Sequence, residues 1–218
     1  MTTSYTDRLL KIDLSDRTIE TIQVPGTLKD DFIGGKGFGA KLLYDWISPD
    51  TAPLGKDNLL MFLTGPLTGT LAPAMRGCVV TRSPLTGLFL DSYFGGSLAP
   101  EIKYAGFDGI IITGRAEHPS YIWIDDDKIE IKDARHLWGE NSLAANHLIK
   151  KELLDETVKI ATIGQAGENR VLFSLIACEY NRQAGRGGAG AVMGSKNLKA
   201  VAVRGSKPVR VHDPDRFM

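Results

Sequence analysis

The sequence is poor in the residue types that would announce a simple answer. It holds two cysteines, four histidines and three tryptophans in 218 residues, and Lys+Arg balance Asp+Glu at 26 each. Cys78 and Cys178 lie far apart with no C-x-x-C spacing, which excludes a disulfide framework and a local zinc or iron–sulfur site. His118, His136, His147 and His212 are scattered without metal-ligand spacing, so they read as surface or packing residues. A net charge of zero supplies no broad field for nucleic acid or an anionic membrane, and any phosphate binding has to be local. No window approaches the roughly 18 apolar residues of a membrane span, and Met1 is followed by polar residues rather than a basic and apolar leader. The default is a soluble, cytoplasmic protein. Gly35-Lys36-Gly37-Phe38-Gly39 misses the G-x-G-x-x-G spacing and lacks the strand context, and no G-x-S-x-G or G-x-x-x-x-G-K-[ST] signature occurs.

What the chain has instead is glycine, 24 residues of it, and a repeat. Arg8–Val24 alternates apolar and polar residues around the turn Ser15-Asp16-Arg17, and Tyr121–Asp133 does so around Asp125-Asp126-Asp127. Both read as β-hairpins. After each comes a helix (Ala40–Ile47; Leu143–Leu154 with Ser142 as N-cap), then a strand running into a glycine turn (Leu59–Thr64 into Gly65; Val158–Ile163 into Gly164). Further strands are expected around Cys78–Thr81 and Val171–Ile176. Each half closes with a helical segment, a strand and a glycine, Gly114 in the first and Gly205 in the second. A repeat of this length predicts an α+β fold of two similar, mostly antiparallel β-sheets related by a pseudo-two-fold axis, with a few flanking helices. The halves are about 8–115 and 120–206, within a domain spanning 1–207. Residues 208–218 read as the start of a linker to further domains.

Four glycine-rich segments stand out: Gly34–Gly39, Gly65–Gly69, Tyr93-Phe94-Gly95-Gly96 and Ala184–Gly190. Glycine lets main-chain N–H groups approach a ligand, and it equally suits a tight turn. Around Asn181–Gly188 the glycines interleave with Arg182 and Arg186, whose planar donor forks match phosphate oxygens or a heteroaromatic edge. The corresponding stretch of the first half carries Arg76 and Arg82 near Gly95-Gly96. Two such loops facing each other across a two-fold would suit a ligand with two equivalent arms. The competing reading is of solvated arginines on ordinary loops, stronger at Arg82 than at Arg182 and Arg186. Cys78, Cys178 and the three tryptophans read as core, and the Asp125–Asp127 run as a solvated turn.

Several segments carry a resemblance. Gly65-Pro66-Leu67-Thr68-Gly69-Thr70, Ser83-Pro84-Leu85-Thr86-Gly87, Glu101–Asp108, Gly164-Gln165-Ala166-Gly167-Glu168-Asn169 and Ala184–Ala200, in this order, resemble the N-terminal domain of the aldehyde:ferredoxin oxidoreductase family of tungsten or molybdenum pterin enzymes. The resemblance implies that the domain is the base for a bis-pyranopterin tungsten (or molybdenum) cofactor, one pterin on each half. It implies a phosphate-bridging magnesium held by main-chain carbonyls of Tyr93 and Gln183, with Arg76 between the pterin and a [4Fe–4S] cluster. Gly95, Arg182, Gly185 and Gly187 match positions lining the pterins. Tyr93 and Gln183 depart from the small amide residue and the alanine of well-studied aldehyde-oxidising relatives. The implied reaction is oxidation of an aldehyde to a carboxylic acid with ferredoxin as acceptor. Alternatives are another substrate, such as an aromatic thioester, or a stand-alone pterin- or phosphate-binding module. No residue here is implied as a proton-transfer catalyst, the cluster ligands and substrate pocket would lie in downstream domains, and a homodimer is compatible.

Overall fold

The computed structural model describes residues 4–218. Two six-stranded sheets are built in chain order, one from each half. In the first, β1 (Arg8–Asp13) and β2 (Thr18–Gln23) form the expected hairpin, followed by β3 (Leu60–Leu63), β4 (Gly77–Arg82), β5 (Phe89–Phe94) and β6 (Gly109–Thr113). The second holds β7 (Ser120–Asp125), β8 (Lys128–Asp133), β9 (Lys159–Thr162), β10 (Ile176–Cys178), β11 (Arg182–Ala184) and β12 (Leu198–Arg204). The spatial orders are β2-β1-β6-β3-β4-β5 and β8-β7-β12-β9-β10-β11, the same topology twice. In each sheet only one pair, β1 with β6 and β7 with β12, is parallel. The correspondence reaches single hydrogen bonds. Asp108 O, just before β6, accepts from Thr64 N at 3.0 Å, and Lys199 O, the second residue of β12, accepts from Ile163 N at 3.1 Å. The pseudo-two-fold pair of mostly antiparallel sheets is therefore present.

The core explains the pattern of apolar residues. Leu10, Ile12, Phe62, Val79 and Ile110 of the first sheet meet Ile122, Ile124, Ile176, Cys178 and Val201 of the second in one buried cluster. Two short helices, α3 (Leu98–Tyr104) and α6 (Ala189–Ser195), contribute Leu98, Ile102, Val192 and Met193 to it. The opposite face of the first sheet is covered by α1 (Gly26–Phe32) and α2 (Lys36–Trp46), with Leu9, Met61, Cys78 and Ile111 beneath them. That of the second is covered by α4 (Ser142–Leu153) over Tyr121, Trp123 and Ile160. Central strands are thus buried on both faces, which is why β6 reads as a continuous run, Gly109-Ile110-Ile111-Ile112, instead of alternating.

Some expectations shift. Asn141, not Ser142, caps α4: its extended backbone lets its side-chain oxygen accept from Ala144 N at 2.9 Å, while Ser142 is already helical. The strand expected over Val171–Ile176 is only Ile176–Cys178. Val171 N and Ser174 N turn back onto the carbonyls of Ala166 and Val171, and Ser174 O is taken by Gly190 N, so this stretch coils around the start of α6. Trp46 is 41% exposed, whereas Trp123 is buried. A single turn, α5 (Gln165–Glu168), follows β9, and the tail holds another, α7 (Pro214–Phe217), capped by Asp213. Both thiols are buried, and burial pushes each up to about 12. Among the described residues no helix is long and apolar enough to cross a membrane, and no three His, Cys, Asp or Glu side chains converge on a metal-sized cluster.

Candidate cofactor-binding face

The geometry at one end of the molecule follows from strand register. Antiparallel pairing sets Gly77 opposite Phe94 and Cys78 opposite Tyr93, which brings Arg76, one residue before β4, beside the Gly95 loop at the end of β5. In the other half Cys178 lies opposite Arg182 and Ala177 opposite Gln183. β5 and β11 are the outermost strands of their sheets, so each has one side free of ladder pairing. These two edges face each other. Ser92 Oγ donates to Gly185 O at 2.6 Å, and Ser83 Oγ donates to Gly187 O at 2.7 Å. A Cβ on Gly95 would stand 3.7 Å from Arg182 Cδ. The loops expected to meet across the two-fold do meet. Gly187 sits at φ +64°, and a Cβ there would stand 2.4 Å from Leu90 Cδ1, so only glycine lets this loop pass the tip of the first sheet.

The arginines divide into two kinds. Arg82 lies in β4 and is fully engaged: Nε donates to Gly87 O at 2.9 Å and Nη1 to Thr51 O at 2.8 Å and to Pro49 O, so it stitches two loops together. Arg76, Arg182 and Arg186 are exposed, and among the described residues none hydrogen-bonds to or pairs with their guanidinium groups. Arg182 lies over Gly95 and Gly185 O accepts from Ser92, so these three sit at the seam between the halves, while Gln183 is exposed on β11. Tyr93 alternates outward with Asp91, while Ser92 and Phe94 turn inward. Its phenol is raised, chiefly by partial burial and then by Cys78 and Asp91 beside it. Lys36 at the start of α2 reaches Asp91 at 3.3 Å. The Gly34–Gly39 segment itself is structural: a Cβ on Gly39 would stand 2.6 Å from Val80 Cγ2, so its glycines let α2 lie close on β4.

The sequence offered no signal for Ser92 or Glu179, and marked Ser83 only as part of a family motif; each joins one half to the other. The residues present fit an anionic, flat, two-armed group: guanidinium groups without protein partners, free main-chain edges, and space above Gly185, where a Cβ would meet nothing within 4 Å.

Comparison with known proteins decides the family. The profile described as aldehyde ferredoxin oxidoreductase, N-terminal domain, matches residues 9–205. The chain belongs to the aldehyde ferredoxin oxidoreductase family. A tungsten-containing aldehyde ferredoxin oxidoreductase from Pyrococcus horikoshii is 45% identical over 215 residues, 98% of this chain and 35% of the relative. The WOR-like subunit of an aliphatic sulfonate oxidoreductase from Pyrococcus furiosus is 38% identical over 232 residues, 98% of this chain and 37% of the relative. Among solved structures, a chain of the active-site complex BamBC of benzoyl coenzyme A reductase, in complex with 1,5 dienoyl-CoA, superposes with a TM-score of 0.97 at 42% identity. That superposition covers all of this chain and 33% of the other. The chain of this family member thus spans about a third of the length of these relatives, and they are oxidoreductases.

Proposed function

We propose that residues 1–207, as halves 8–115 and 120–206, form the base on which a tungsten- or molybdenum-bis-pterin cofactor lies in an aldehyde-oxidising enzyme that passes electrons to ferredoxin. The observation that carries this is the pairing of two edge-strand glycine loops around arginines that no protein group satisfies. Arg182 and Arg76 would donate to pterin ring edges or phosphates, Gly95 and Gly185 keep the loop surfaces low enough for a flat ligand, and Gly187, packed on Leu90, would hold the loop against the first sheet. Main-chain carbonyls at Tyr93 and Gln183, on the free sheet edges, would hold a magnesium ion against the phosphates. Arg76 would sit toward a [4Fe–4S] cluster ligated by downstream domains, its fixed charge favouring reduced states. The cofactor supplies the redox chemistry when bound; this domain binds and orients it. Cytoplasmic location and a homodimer belong to the same reading.

A second reading keeps the site and changes the substrate. The 42% identity and near-complete superposition on a benzoyl coenzyme A reductase chain favour an aromatic thioester. The test is metal and pterin analysis of the protein isolated at its natural length. Tungsten or molybdenum with two pterins per metal is expected, and neither metal nor pterin would overturn the proposal. In the same preparation Arg182→Ala should lose several-fold cofactor while its melting temperature barely moves, because an exposed loop arginine contributes little packing. Metal at wild-type stoichiometry would remove Arg182 from the site. Dye reduction driven by an aldehyde, set against turnover of an aromatic thioester, separates the two substrates.

A further inference from the structure

Glu179 lies in the turn between β10 and β11, three residues before Arg182, with its backbone at φ +58°. Its main chain is fixed by Glu179 N donating to Ile160 O at 2.7 Å. Its side chain crosses to the other half, where Oε1 accepts from Ser97 N at 2.6 Å. Gly96, at φ +86°, leaves room for the carboxylate: a Cβ there would stand 3.0 Å from Oε2. One short turn of the second half therefore grips one short loop of the first at two points. Arg182 lies over Gly95, and Glu179 holds the N–H of Ser97.

We propose that Glu179 is a positioning residue for the cofactor site, which rests on the reading above. It acts by setting the Gly95-Gly96-Ser97 loop at the height and angle at which Tyr93 and Gly95 face the seam. The carboxylate reaches across the seam to accept from Ser97 N, beside Gly96. A single oxygen acceptor at the right reach suffices for this, and the negative charge is not needed. The competing account is that Glu179 merely caps the start of α3. A cap of that kind contributes stability on the order of 1 kcal/mol and nothing particular to the site.

The experiment compares four variants of the protein at its natural length with wild type, measuring metal and pterin per chain and the melting temperature. Glu179→Ala and Glu179→Asp, the latter one methylene too short to reach Ser97, should lose most of the cofactor. Glu179→Gln, which keeps the acceptor and the reach, should hold near-wild-type cofactor. Asn141→Ala removes a helix cap far from the seam; it should lower the melting temperature comparably and keep its cofactor. If Glu179→Ala fails to fold, the aspartate and glutamine pair carries the comparison. The proposal falls if Glu179→Asp holds wild-type cofactor, if Glu179→Gln loses as much as Glu179→Asp, or if Asn141→Ala loses as much as either. Absence of cofactor from wild type itself would overturn the reading of the site, an outcome distinct from these.

Discussion

Asp108→Ala is expected to lower the stability of the cofactor-free protein by about 3–5 kcal/mol, the cost of stranding a buried charge. Asp108 and Lys103 form an ion pair of 2.5 Å with side chains 2% and 0% exposed. The same carboxylate accepts from Thr6 N at 3.2 Å and Asp7 N at 2.9 Å, tying the segment before β1 to the turn before β6. Burial pulls the Lys103 amine below the usual lysine range, with Asp108 opposing it. Removing Asp108 leaves that amine without its counter-charge and two N–H groups without an acceptor. The double variant Lys103→Met with Asp108→Asn restores an acceptor and removes both charges, so it should recover most of the loss. Urea denaturation midpoints with unchanged slopes measure both changes. A single-variant loss under about 1 kcal/mol, the range of exposed pairs, would show that the pair is not buried in solution.

The two halves use this position differently, and the difference marks what a sequence can convey. Asp108, just before β6, and Lys199, the second residue of β12, take equivalent places in the register; Asp108 pairs with Lys103, and Lys199 with Glu168. Helix, turn and strand were legible there from the apolar pattern, because burial on a fixed period leaves its mark residue by residue. The inverted charges were not, since a lysine in a sequence is silent on whether its amine reaches a carboxylate thirty residues away. The same limit separates Arg82 from Arg182. Both lie near glycine turns in the sequence, and only the path of the Pro49–Thr51 loop makes one of them a structural clasp. Hairpins, the repeat and the meeting of Gly95 with Arg182 were legible because they follow from alternation and internal similarity. The Val171–Leu175 coil was not, because its amides turn back onto Ala166 and Val171 and its Ser174 carbonyl meets the start of α6 rather than a ladder, leaving Leu172, Phe173 and Leu175 exposed.

Lys196→Met should remove Lys196's share of a rise in stability with pH that the wild type shows from about pH 7 upward. Lys196 is wholly buried, and Nζ donates to Lys56 O at 2.9 Å and Gly114 O at 3.1 Å, two acceptors that a neutral amine satisfies. It closes the joint between the halves, where Ala116 N donates to Lys196 O at 3.0 Å and Arg115 Nε to Ser195 O at 2.6 Å. Burial lowers the amine from 10.5 to about 7, with Asp13 and Asp57 opposing and Arg115 adding to the shift. Between those two values the unfolded chain binds one more proton than the folded one, so stability climbs with pH by at most about 1.4 kcal/mol per unit. Below about 7 both states are protonated and the contribution is flat. Cys78 and Cys178, raised from 9.0 to about 12, act with the opposite sign: the unfolded thiols ionise first, so stability falls above pH 9. The wild-type curve should therefore crest near pH 9. Subtracting the Lys196→Met curve cancels the cysteines and leaves the lysine slope alone. A difference that does not change between pH 7 and 9 would mean that Lys196 keeps its proton in the fold, and that the joint between the halves carries a buried cation.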